Sequence, residues 1–441
     1  MISRQSGRRP GILWIVGIAA FALLLVALAT RGPGGVEQRR ATYRQAGIAT
    51  SEEELELALP PMPDAENEAS KLRAAMSGWK RLNPAHKLEF QAVDSLIQST
   101  PALVTNFQAE LMANRASLEL LHSITNPAHS RIGRQLKSQS DSPDLFYQYQ
   151  KSLQESSGVL RLECRVQRLN GDPEKATQAL VSGLRVVRML ENTRTMPGHW
   201  DHLHLLDGWL HELEWLLSSG PVTGASLELL RRELELHDER LGLPLVVQAL
   251  RASTFESFRK QWIDSTGSNP GIGYQPGPIE RVLIKLYVGS GIPSRDLLRS
   301  LDLMDRFAEL AEKPTEAFQA AEPPVIRVTG ATAGLRMTVA HGEIVIGEVL
   351  HDLWNRRLEL VARLRCARTA VAVERWRGRH GGEIPSRLDL LIPTVLPAVL
   401  SQPSGDRAVE YSPQASGYSI QSSCGDSAHP PVVITVHLSP R

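Results

Sequence analysis

Cysteine is almost missing from this 441-residue chain: Cys164, Cys366 and Cys424 stand far apart and are odd in number, which excludes a disulfide framework and a Cys-rich zinc site. An excess of one charge is missing too. Lysine and arginine total 49 against 48 for aspartate and glutamate, so no overall field points to an acidic substrate, and no nucleic-acid partner is expected. Catalytic signatures are equally sparse. No P-loop, G-x-S-x-G or H-E-x-x-H string occurs; His211 and Glu212 begin the last of these, but Trp215 stands where its second histidine belongs. Ser77 to Lys80 and Ser257 to Lys260 fit S-x-x-K, the spacing that sets a lysine one helical turn from a serine. No SDN or KTG partner accompanies either pair, and both read as solvated helix positions. Gly271 and Gly273 lie in a turn and form no dinucleotide fingerprint. No cofactor is expected.

What the chain does have is one long apolar run, residues 11–30, GILWIVGIAAFALLLVALAT, uncharged between Arg8, Arg9 and Arg31. At about 1.5 Å per residue it reaches roughly 30 Å, the thickness of a bilayer's hydrocarbon core, so it reads as a single transmembrane helix and the bilayer as its partner. Ala27, Leu28 and Ala29 offer an A-x-A cleavage pattern, but the run exceeds a usual signal-peptide core and Arg31 follows at once. Arginines flank both ends, so counting them does not orient the helix. A long domain tends to be translocated regardless of its charge, which places the bulk of the chain outside the cytoplasm.

The remaining mass reads as mainly α-helical. The expected order is a short basic N-terminus (1–10), the transmembrane helix (11–30), a stalk (31–63) that is helical until the prolines at 60, 61 and 63, a multi-helix array (64–322) and a small C-terminal α/β module (323–441). Asn170, Gly171, Asp172 and Pro173 mark a junction, with glycine for the left-handed end of one helix, aspartate to cap the next and proline at its first position. The GDPEKA opening resembles the second helix of a tetratricopeptide repeat, without a sustained thirty-four-residue period. Further helices are expected at 86–97, from 101 towards 126, at 200–217, 224–240, 244–262, 279–287 and 294–312, and in one long pattern ending near Arg379. A loop is expected at 129–142, a turn-rich stretch at 265–278 and a short strand in VIRVTG at 325–330. The texture then changes to Gly, Pro and Ser with apolar alternation at 408–411, 418–421 and 432–437, which reads as strands.

Two surfaces stand out. Along the long helix, Arg357, Arg368, Arg375 and Arg379 return to a similar side as Leu350 and Val361, so these arginines are expected to snorkel or pair with carboxylates rather than grip an anionic surface. On the helix 200–217, Leu205, Leu206, Trp209, Leu210, Leu213, Leu216 and Leu217 share one side, with His202 among them as a core histidine. The other side carries His204, Asp207 and His211 between Trp200 and Trp215, and these five residues form a candidate interface. His204 and His211 lie two turns apart, about 10.5 Å along the axis, too far to chelate one ion together. Asp207 with His211 is the remaining, weak metal candidate, and no metal site is expected. Two tryptophans on a polar face imply a cover, either another helix of the chain or a protein partner. No pattern specifies an oligomeric state.

Ala372, Glu374, Arg375, Trp376, Arg377, His380, Gly381, Pro385, Leu388, Leu391, Pro393 and Leu396 carry a resemblance to planctomycete-type membrane-anchored proteins of unknown function, and GDPEKATQALVSGLRVVRML and ENEASKL extend the likeness over much of the chain. The same C-terminal pattern is similar to the periplasmic part of the major pseudopilin of type II secretion, which implies a helix leading into a calcium-supported β region. The chain departs from that pattern. Gln402 precedes Pro403, Ser404 and Gly405 where an aspartate is usual, and Asp426 is the sole carboxylate of the later loop, too few oxygens for calcium. The expectation is an envelope scaffold or partner-binding protein; its rival is a hydrolase of envelope polymers whose site is assembled from separate helices.

Overall fold

A computed structural model describes residues 33–58, 62–63, 66–80, 101–130, 144–258, 292–319, 341–403, 405, 407–424 and 430–438. The expected transmembrane helix, the segments 86–97, 265–278, 279–287 and 325–330, most of the loop 129–142, and Asp426 lie outside them. No helix among the described residues is long and apolar enough to cross a membrane.

The described part is mainly helical, as expected, with one small antiparallel sheet. Helices run in the order α1 (Pro33–Gln45), α2 (Glu52–Leu57), α3 (Glu68–Ser77), α4 (Pro101–Ala113), α5 (Arg115–His122), α6 (Asp144–Leu169), α7 (Pro173–Arg188), α8 (Met196–Ser218), α9 (Gly224–Glu235), α10 (Leu243–Phe258), α11 (Ile292–Ala311), α12 (Thr315–Gln319) and α13 (His341–Arg379). Strands β1 (Glu410–Gln414), β2 (Gly417–Ser422) and β3 (Val432–His437) pair in sequence order. Three expected helices are shorter than the apolar patterns suggest. The stalk breaks at Gly47, which is left-handed (φ 71), and restarts where Ser51 Oγ accepts from Glu54 N while Glu54 accepts from Thr50 N. Asn114 parts α4 from α5 and donates to the carbonyls of Glu110 and Lys80. The helix expected to reach residue 240 ends at Glu235, with Leu236 still right-handed at its C-cap, and the turn that follows carries the left-handed Leu241 and Gly242.

The chain divides into two compact units, a smaller one (1–55, 250–307, 324–351) and a larger one (56–249, 308–323, 352–441). In the smaller unit Val36, Tyr43, Phe255, Leu301, Met304 and Phe307 are buried, and Asp305 accepts from Arg39, Tyr43 and Arg251.

The larger unit is organised on α6 and α7, which pack along each other from the Asn170–Pro173 junction. Gly171 has φ 78, and Asp172 accepts from Lys175 N at 3.0 Å. Helix α8 packs on both, and its leucine side is fully enclosed with Trp209. Gly183 of α7 makes that possible, since a Cβ there would lie 2.1 Å from the Trp209 ring. The sheet rests on α8 and α13. Glu214 accepts from Thr435 N at 2.8 Å, and the buried Tyr418 hydroxyl donates to Glu374 at 2.9 Å. Gln402 closes a turn, its side-chain amide donating to Ala408 O. The larger unit thus joins the C-terminal segment to helices N-terminal of residue 323.

Candidate functional site

Part of the polar face of α8, Asp207 and the exposed His211, meets α13. Asp207 meets Arg356 at 3.0 Å and Arg363 at 2.9 Å. Arg363 also donates to His211 Nε2 at 2.8 Å; a guanidinium can only donate, so Nδ1 carries the His211 proton and gives it to the Asp207 carbonyl at 2.9 Å. Asp207 and His211 therefore spend their ligand atoms on arginines and on the backbone, a poor place for a cation. Trp215 lies under the Arg165 guanidinium, 4.7 Å from the ring centroid, whereas His204 is exposed and Trp200 is 37% exposed. The arginines of α13 are engaged within the larger unit: Arg357 donates to the carbonyls of Glu239, Ala311 and Lys313, Arg368 to Glu239 and to the carbonyls of Leu234 and His237, Arg375 pairs with Glu228, and Arg379 donates to Thr394 O. Ser77 and Lys80 are both exposed near the end of α3, and Ser77 donates to Ala74 O.

Three polar clusters that no motif announced lie beneath these surfaces. Glu212 is fully enclosed and held by Arg161 and Arg165 of α6, each at 2.8 Å. In a second cluster, His122 Nδ1 lies 2.8 Å from Ser182 Oγ and its Nε2 lies 3.1 Å from Glu163, a serine, histidine and carboxylate drawn from α7, α5 and α6. Ser182 is 0% exposed inside α7, so a substrate carbonyl would reach it only if the packing around it opened.

The third cluster brings together Glu191, His202 and His237, one ligand atom from each lying within 4.8 Å of the others. Glu191 sits in the 3-10 turn (Met189–Asn192) that links α7 to α8, His202 on the apolar side of α8, and His237 just beyond the end of α9. The loop bearing His237 is strained and braced. Leu241, buried and β-carbon-bearing, has φ 53, and Gly242 presses on the Glu191 backbone so closely that a Cβ would lie 2.6 Å from its carbonyl oxygen. Arg365 and Arg368 hold the same loop through Glu239.

Inside the cluster, hydrogen bonding fails. His237 Nδ1 lies 3.1 Å from Glu191 Oε1 but out of line, and His202 approaches the Leu241 backbone without forming a hydrogen bond. Among the described residues, neither ring nitrogen of either histidine, nor Glu191 Oε1, has a hydrogen-bond partner. Each such orphan costs about 1–3 kcal/mol. Burial pushes the Glu191 carboxyl up to about 7, against the pull of His202 and Arg188. Burial also pushes His202 down to about 4 and His237 to about 3, so both rings are neutral at pH 7.

Sequence reading places His202 in the core, where it is, but passes over His237 and Glu191. A histidine amid leucines asks for polar company, and that was the available signal; the other two residues come from the turn before α8 and the turn after α9, so no ligand spacing reveals them. No family model, curated protein or solved structure matches the chain.

Proposed function

We propose that the chain is a membrane-tethered scaffold that binds a protein partner, with residues 11–30 in the bilayer and the helical units outside the cytoplasm. The observation that supports binding over catalysis is the placement of its reactive groups: Ser182, Glu212, His202 and His237 are enclosed, while Trp200 of the α8 polar face reaches solvent. Tryptophan is enriched where partners dock. The resemblance to planctomycete-type anchored proteins fits the tether and brings no activity with it.

The test uses the full chain in its own membranes. It should resist alkaline extraction, protease added to spheroplasts should remove the mass beyond Arg31, and a photo-crosslinking residue at position 200 should give one discrete protein adduct that the same residue at the buried position 210 does not. Extraction by alkali would remove the tether, and adducts to lipid alone would remove the partner. The rival hydrolase reading is favoured by the Ser182, His122 and Glu163 geometry. It requires a fluorophosphonate probe to label Ser182 in the folded chain, with the label lost in His122→Gln; an unlabelled Ser182 supports the scaffold.

A further inference from the structure

We propose that Glu191, His202 and His237 form an enclosed site for a divalent first-row metal ion of the zinc type, which ties the α7–α8 connection to the turn after α9. The proposal is independent of the tether and of the partner, because it rests only on the interior of the larger unit.

Two neutral imidazoles and one carboxylate are a donor set zinc accepts. Calcium and magnesium are poor candidates, since they take oxygen ligands. Among the described residues, four ring nitrogens and one carboxylate oxygen lack hydrogen bonds in a space with His202 and His237 at 0–2% exposure, and one ligand atom from each of the three side chains lies within 4.8 Å of the others. An ion held about 2.0–2.1 Å from each donor sets the donors roughly 3.3 Å apart. Glu191 and His237 are at 3.1 Å, and the whole set falls within 4.8 Å, so side-chain rotation closes the remainder. The three ligands leave one position for a water molecule.

The surroundings hold the ligands in place. The carboxylates of Glu233 and Asp238 are near enough to act on Glu191, and Arg188 and Arg368 near enough to act on His237. These arginines are not free to repel an ion without compensation: Arg188 donates to Glu233 at 2.9 Å and Arg368 to Glu239 at 3.0 Å. Arg368 also donates to the His237 carbonyl, so the backbone of one ligand is fixed from α13. Such outer contacts orient ligands and strengthen metal binding.

The experiment takes the full chain in detergent micelles, strips it with a chelator, and titrates it with zinc and with cobalt alone. One equivalent should survive desalting, zinc should raise the melting temperature, cobalt should give the visible absorption of a four- or five-coordinate ion, and X-ray absorption of the zinc form should show two imidazoles. Glu191→Gln and His237→Gln should each weaken zinc binding by more than the roughly 10–100-fold that loss of an outer-shell partner brings. Asp207→Asn, at the other carboxylate and histidine pair, should leave it unchanged. A wild-type chain that retains no equivalent and melts at the same temperature with and without zinc overturns the proposal. So does zinc retained undiminished by the Glu191 and His237 variants. If those variants do not fold, fewer than two imidazoles in the wild-type absorption spectrum overturns it as well.

Discussion

Helix α8 carries two buried acid-base clusters that look alike in composition and differ in what they have been given. At one end Glu212 is surrounded by Arg161 and Arg165, and Arg165 alone donates to both of its carboxylate oxygens, at 2.8 and 2.9 Å. Towards the other end, His202 faces His237 and Glu191, and their ligand atoms make no hydrogen bond. The first cluster is complete in itself. The second has its ligand atoms within 4.8 Å of one another and leaves them without hydrogen bonds among the described residues, which is how a ligand set would differ from an ion pair. Burial is similar in both, so it is the satisfaction of the polar atoms that separates structural packing from a candidate site.

The largest effect should come from breaking the complete cluster. Arg165→Ala leaves Glu212 buried with one guanidinium instead of two and uncovers Trp215, and a loss of about 3–5 kcal/mol is expected in urea unfolding of the full chain in micelles. Replacing Arg161, Arg165 and Glu212 together by apolar residues of similar volume should restore most of that stability, because no uncompensated charge remains. A triple variant as unstable as Arg165→Ala would mean that the cluster matters for its shape and not its charge.

Next in size is Gly242→Ala, which strikes the frame of the incomplete cluster without touching its ligands. The added Cβ meets the Glu191 carbonyl at 2.6 Å and sits at φ 71, so a cost of about 1–3 kcal/mol is expected, together with a weakened response to zinc. Thermal melts with and without the ion separate the two effects.

How much of this could be read beforehand follows the same division. Helices were legible wherever one face is continuously apolar, as on α8, and the Asn170–Pro173 junction was legible because cap, turn and helix start are all local. The ends of α1 and α4 were not, because each is set by a contact or a left-handed residue that interrupts an otherwise helical pattern, and α9 stops before the pattern does. The candidate interface on α8 was legible as a face, but its tie to Arg356 and Arg363 depends on tertiary packing. The ligand set was illegible for a deeper reason: Glu191, His202 and His237 belong to three segments whose meeting is fixed by Gly242, Leu241 and the arginines of α13, and none of those residues carries a metal signature.

A smaller, pH-dependent effect sharpens the role of that bracing. Burial raises the affinity of the Glu239 carboxyl for protons, but Arg365, Arg368 and Thr315 outweigh it and hold the group below its ordinary value. Its stabilising contribution is therefore full above the unfolded carboxylate value of about 4.3 and is lost as pH falls from there through the folded value. The stability difference between the wild type and Glu239→Gln should be constant near neutrality and shrink below about pH 4. A difference that does not change with pH would show that the charge on Glu239 does not hold the loop bearing His237.

The smallest effect is the most discriminating. His202→Leu in metal-stripped protein removes two ring nitrogens that have no hydrogen-bond partner and leaves an apolar side chain of similar size on the leucine side of α8. Deleting a satisfied buried group exposes its partners to a desolvation loss, whereas deleting an unsatisfied one does not, so the change should lie within about 1 kcal/mol of zero and can be stabilising. Zinc should then reverse the ranking. At one hundred times its dissociation constant the ion adds about 2.7 kcal/mol to the wild type and nothing to the variant, so the wild type becomes the more stable of the two. If His202→Leu instead costs as much as Arg165→Ala in the absence of metal, His202 is already satisfied by the protein, and the contrast between the two ends of α8 disappears.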